Sequence, residues 1–254
     1  ADPARANAFL PAVATDTEVN FGYSRSTYWL ALPLRVAADA PAQWLLEIGF
    51  SSLDKVDVYV PRPDGSFLRQ TAGDLQRFDE RPFPHRNLVF PVSLAPGKTQ
   101  TLYLKVDSAG TLTIPVTLWQ PQALHQYDQN NYALLSLYYG LLLGLLLYNL
   151  LLYFAVGDTV FLAYVAFVAA MAVGQASLNG LGNQFLWPDW PAWGNIAVTT
   201  GNAATGFFGA LFTRQFLGTR RDFPRFDKLI LALAAAFALA AVSPVVVSYQ
   251  FAAI

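Results

Sequence analysis

The chain has no cysteine, a single methionine (Met171) and only two histidines (His85 and His125) among 254 residues. Without cysteine there are no disulfides, thiolate nucleophiles or cysteine metal sites. The two histidines lie far apart in sequence, and no close His/Asp pair resembles a ligand set, so no metal is expected. No Ser-His-Asp arrangement and no glycine-rich phosphate loop appears, so neither a catalytic residue nor a cofactor is expected. Positive charge is also missing as a cluster in the first half, where 11 basic residues face 13 acidic ones. A nucleic-acid surface needs clustered cations to displace counterions, and that class is excluded.

Charge is scarcer still in the second half, where only nine charged residues follow Asp128. Two solvents are implied, water up to about Asp128 and lipid beyond it. The lone methionine lies far from Ala1, so the sequence does not open on an initiator. A removed secretory signal and a fragment boundary both fit that start.

About 20 apolar residues cover a bilayer core ~30 Å thick. Four stretches meet this length: Tyr132 to Val156, Thr159 to about Gly180, about Gly194 to Thr213, and Leu229 to Ile254. Between the third and fourth lie Arg214, Arg220, Arg221, Arg225 and Lys228, against Asp222 and Asp227. Lys and Arg accumulate in cytoplasmic loops, so this loop faces inward and these five residues set the topology. The loop between the second and third stretches has no Lys or Arg but carries Trp187, Trp190 and Trp193, which suits headgroup depth on the outer side. Counting back, Gly157-Asp158 is cytoplasmic and the N-terminal domain lies outside.

Small residues mark expected helix contacts: Gly140 and Gly144 in a GxxxG pair, and Gly201, Thr205 and Gly209 at every fourth position. Asn149, Gln175 and Asn202 are each expected to face another helix, since an unpaired amide in lipid is costly. The four stretches contain no His, Glu, Lys or internal Asp. Proton relays and intramembrane proteases usually need such groups, which weakens the alternative reading of a transporter or membrane enzyme.

From Phe21 to Trp119 the apolar residues alternate with period two between turn signals. Expected strands are Tyr28–Val36, Gln43–Ile48, Val56–Val60, Phe67–Gln70, Asn87–Leu94, Thr101–Val106 and Leu112–Trp119. The expected fold is therefore an all-β, jelly-roll-like sandwich followed by an α-helical transmembrane bundle. Residues 1–20 read as a lead-in, 21–122 as the sandwich, 123–131 as a linker and 132–254 as membrane helices.

Ligand contacts are expected on the proline-stiffened loop carrying Arg77, Asp79, Glu80, Arg81, His85 and Arg86. A guanidinium donates in a planar fork suited to a carboxylate or sugar hydroxyls. A solvated loop whose charges pair among themselves is the competing reading. Tyr28, Trp29, Trp44, Tyr103 and Trp119 are core or stacking candidates, with alternation placing Tyr103 on the outward face.

The strings FGYSRSTYWLALPL, LDKVDVYVPRPDG, TAGDLQRFDERPFPHRNLVFPVSL and TLYLKV resemble the second type of extracellular domain of seven-transmembrane receptors with diverse intracellular signalling modules. GLLLGLLLYNLLLYF, Gly157-Asp158 before FLAYVAF, GLGNQFLWP and RQFL resemble the same family's membrane bundle. Arg81, His85 and Arg86 match its recurring Arg-Pro…His-Arg pattern. The resemblance implies a multi-pass sensor of the bacterial inner membrane with its sandwich in the periplasm. The implied ligand is a small molecule, carbohydrates among them. The implied partner is a cytoplasmic output module such as a diguanylate cyclase or histidine kinase; lipid is expected from the apolar second half, and a second copy in a homodimer is a further candidate partner. Any catalysis would then lie beyond Ile254.

Overall fold

The computed structural model describes Phe9, residues 18–24 and residues 26–252. Most of the expected lead-in lies outside the described residues. Two compact units are formed: residues 1–129 with 179–195, and residues 130–178 with 196–254.

The first unit is built on eight antiparallel strands: β1 (Glu18–Tyr23), β2 (Tyr28–Arg35), β3 (Gln43–Ile48), β4 (Lys55–Pro61), β5 (Phe67–Ala72), β6 (Leu88–Ser93), β7 (Thr99–Asp107) and β8 (Thr111–Trp119). They form two four-stranded sheets of order β1-β8-β3-β6 and β2-β7-β4-β5. Seven strands coincide with the period-two segments of the sequence. β1 was not foreseen, because Gly22 at φ 65° and a register shift between Asn20 and Tyr23 break its alternation.

Alternation decides the core. Leu46 and Ile48 of β3 lie opposite Phe90 and Leu88 of β6, and Val56 and Val58 of β4 lie opposite Val106 and Leu104 of β7. All eight are fully buried in one cluster with Leu102, Leu112 and Ile114. Burying a side chain of this size stabilises the sandwich by about 1.5–3 kcal/mol.

The expected linker is not a linker. α1 (Pro121–Val156) starts two residues after β8, with proline in its first turn where no N–H is needed. Its opening turns pack on the outer side of β3, where Leu124 joins Leu45 and Val89 and Tyr127 stacks on Trp119 at 4.9 Å.

The second unit holds the rest of α1, α2 (Thr159–Leu178), most of α3 (Pro191–Phe216), the single-turn α4 (Thr219–Asp222) and α5 (Pro224–Ala252). Four spans were expected. Among the described residues, three helices are long and apolar enough to cross a membrane: α1, α2 and Pro224–Val246 of α5. α3 has the length but carries Asn195, Thr199, Thr200, Asn202 and Thr205. Those polar positions fit its packing: Gly201 meets Gly174 of α2, and Thr200 Oγ1 donates to Ala241 O of α5 at 3.3 Å.

Two packing expectations are corrected. A Cβ at Gly140 or Gly144 would meet nothing within 4 Å, so neither glycine marks a helix contact among the described residues. α1 is apolar on every side, with Leu134, Leu137, Leu141 and Leu151 all exposed, and spacing alone could not name its contact face. Among the described residues Asn149 bonds within its own helix, its Nδ2 donating to Leu145 O one turn back at 2.8 Å. Gly201 and Gly209 do sit at contacts, against Gly174 and the Phe167 ring respectively.

Arg214 differs from its basic neighbours. It donates through Nε to Asp227 at 2.8 Å, and buried Thr219 donates to the same carboxylate at 2.8 Å. Arg220, Arg221, Arg225 and Lys228 are exposed.

Candidate functional site

Two regions of the first unit concentrate polar and aromatic side chains. The first is the outer face of the β2-β7-β4-β5 sheet. Trp29 of β2 and Tyr59 of β4 stack at 5.5 Å between ring centroids, and Tyr103 of β7 is paired with Ala31 and Tyr59. Beside them the buried Asp57 carboxylate accepts both Arg69 Nη2, at 3.0 and 2.9 Å, and Thr71 Oγ1 at 2.6 Å. Strand alternation places all these side chains on one face, since neighbouring strands bring i and its partner together.

Tyr103 points outward as alternation requires, but it is not exposed. Phe9 and Phe67 close over it, each 5.8 Å away, leaving it 8% accessible. Phe9 lies 94 positions earlier in the numbering, and no local pattern announces that cover.

The second region is the loop from Gly73 to Asn87, between β5 and β6. Here the structure separates the residues that sequence grouped. Arg77 is half exposed and paired with Asp79 and Asp189, the latter at 2.6 Å. Arg81 is buried; its Nη1 donates to His85 O at 2.9 Å and Arg86 O at 3.4 Å, and Phe78 covers its guanidinium at 5.1 Å. Its Nε and Nη2 are buried with no hydrogen-bond partner. Burial pulls Arg81 down to about 10, the Asp74 charge opposing.

His85 is buried and both ring nitrogens are engaged. Asn87 N–H donates to Nδ1 at 3.1 Å, which makes Nδ1 the acceptor and leaves the proton on Nε2. Nε2 then donates to the Asp128 carboxylate, 3.1 Å from each oxygen. Asn87 Nδ2 in turn donates to buried Glu47 at 2.7 Å, as does Trp119 Nε1. Arg86 Nη1 reaches Asn179 O at 3.5 Å.

Sequence reasoning did not single out Asp54, Asp74 or Asn195. Asn195 Nδ2 donates to Asp54 at 3.2 Å and to Asp74 at 3.3 Å. Burial, and then the neighbouring Asp54 charge, push Asp74 up to about 7. Gly73 makes the arrangement feasible, because a Cβ there would collide with the Asp54 carbonyl oxygen. The Ala72-Gly73-Asp74 turn signal was visible; its buried carboxylate was not. Among the described residues no three His, Cys, Asp or Glu side chains gather as a metal site.

The family model described as 7TMR-DISM extracellular 2 matches residues 2–120, and the one described as 7TM diverse intracellular signalling matches residues 131–254. No curated protein matches the chain. An eight-stranded sandwich over the first match and apolar helices over the second agree with both. The chain belongs to the seven-transmembrane receptors with diverse intracellular signalling modules, a membrane sensory protein with its N-terminal domain outside.

Proposed function

We propose that this receptor sits in a bacterial inner membrane and detects a small ligand, a carbohydrate by preference, on its periplasmic sandwich. The strand order, two interleaved four-stranded sheets, supports reading the sandwich as a jelly roll. The bundle passes the bound state to a cytoplasmic output module, and the chain itself carries no catalytic step.

One observation carries the choice of face. The Trp29–Tyr59 stack stands beside an Arg69–Asp57–Thr71 group already held in place by hydrogen bonds. Flat apolar rings next to fixed polar groups suit a sugar, which presents a C–H face and a rim of hydroxyls. Of the five side chains expected to hold the ligand, Tyr103 belongs to this face. Arg77, Arg81, His85 and Arg86 are engaged with protein groups instead.

Titrating the whole chain in detergent micelles with neutral sugars and sugar acids tests the assignment. Trp29→Ala is expected to weaken any hit about tenfold, the equivalent of a stacking contact near 1.4 kcal/mol. An Arg81→Ala, His85→Ala pair should leave affinity within about twofold. A pair that abolishes binding while Trp29→Ala does not would move the site to the loop.

A further inference from the structure

The chain passes between the two units three times, after Gln129, at Asn179 and at Asn195. Each passage is held by the same short loop. His85 Nε2 donates to Asp128, one residue before the first crossing. Arg86 Nη1 donates to the carbonyl of Asn179 at the second. Asp74 accepts from Asn195 at the third. Between the last two, Arg77 pairs with Asp189 and the Phe78 N–H donates to Pro188 O at 3.0 Å.

These contacts are not independent of one another. Arg81 touches none of the crossing residues, yet its Nη1 ties together the carbonyls of His85 and Arg86, the two residues that hold the first and second crossings. The Arg86 carbonyl is also what Gly180 packs against; a Cβ at 180 would collide with that oxygen. Gly180 has φ +74°, a left-handed conformation that side chains disfavour. A push at Asn179-Gly180 therefore acts on the carbonyl that Arg81 grips, and through Arg81 on His85 and Asp128.

We propose that the Gly73–Asn87 loop is a transmission joint, in which Arg81 couples the first two chain crossings so that they tighten or loosen together. It rests on the receptor reading only in taking the helices to be what receives the signal. Arg81 is a positioning residue, acting through the backbone it staples. A shared hub of this kind gives two-state behaviour, because one rearrangement changes both crossings at once.

Hydrogen exchange on the full chain in detergent micelles, with no ligand, tests the joint separately from any ligand assignment. Arg81→Met keeps length and apolar bulk but removes the staple. It is expected to raise exchange roughly tenfold both at 125–129 and at 179–189, segments the side chain does not touch. Gly180→Ala, acting from the opposite side, should raise exchange at 85–87 and 125–129 as well as at 179–182. If Arg81→Met changes exchange only within 78–87, or Gly180→Ala only within 179–182, the crossings are separate contacts and the joint does not exist.

Discussion

Leucine at position 201 is expected to cost the membrane unit about 3 kcal/mol, whereas leucine at 144 leaves it within ~0.5 kcal/mol of the parent. A Cβ at 201 would lie 2.6 Å from Gly174 Cα and 2.8 Å from Gly174 N. Backbone faces backbone, so no rotamer change relieves the clash and α2 and α3 must separate. In lipid that separation is costly, because close approach between small residues is what holds apolar helices together. Asn202 depends on the same contact, since its Oδ1 lies 2.9 Å from where a Cβ of residue 174 would stand. At Gly144 nothing lies within 4 Å, and a leucine there only adds apolar surface to an apolar helix. Unfolding of the two variants in mixed micelles of rising SDS content measures the difference. Equal losses at both positions would remove Gly174–Gly201 as the organising contact.

Acidity is expected to stabilise the sandwich unit through Asp74. Burial and the Asp54 charge raise its carboxyl from 3.8 to about 7, while Asn195 and Arg81 pull the other way. Between about pH 4 and 7 the folded chain then holds a proton that the unfolded chain has lost. Stability falls as pH rises through that window and is flat above it, for a total on the order of 4 kcal/mol. The groups facing Asp74 are Asp54 from the β3–β4 connection, Arg81 from its own loop and Asn195 from the start of α3. Asp74→Asn keeps the shape and removes the proton. Thermal unfolding followed by tryptophan fluorescence at pH 4.5 and 7.5 gives the comparison. The parent should lose more stability between the two values than Asp74→Asn does. Parallel losses would show that Asp74 is not the titrating group.

Seven strands, the division between water and lipid, and the outward N-terminal domain were legible because each depends on a local pattern. Period two, apolar run length and loop charge are all read within one segment. What escaped shares a different character. β1 depends on pairing with β8 despite a broken alternation. Tyr103 is covered by Phe9, which no strand pattern places there. The arginine loop has a composition that suits both a ligand clamp and charges paired among themselves, and composition does not choose between them. Its partners Asp128, Asn179, Asp189 and Asn195 stand up to 121 positions away. GxxxG spacing at 140 and 144 was visible, but spacing does not say whether a second helix arrives.

The amino-acid order alone determined where this protein meets water and where it meets lipid, since hydropathy and charge act on a segment whatever else the chain does. It also determined which strand faces turn inward. Tertiary structure decided which polar groups are spent holding the protein together. Hydrogen bonds act over about 3 Å, and only the folded chain brings Arg81, His85 and the distant helix ends within that reach.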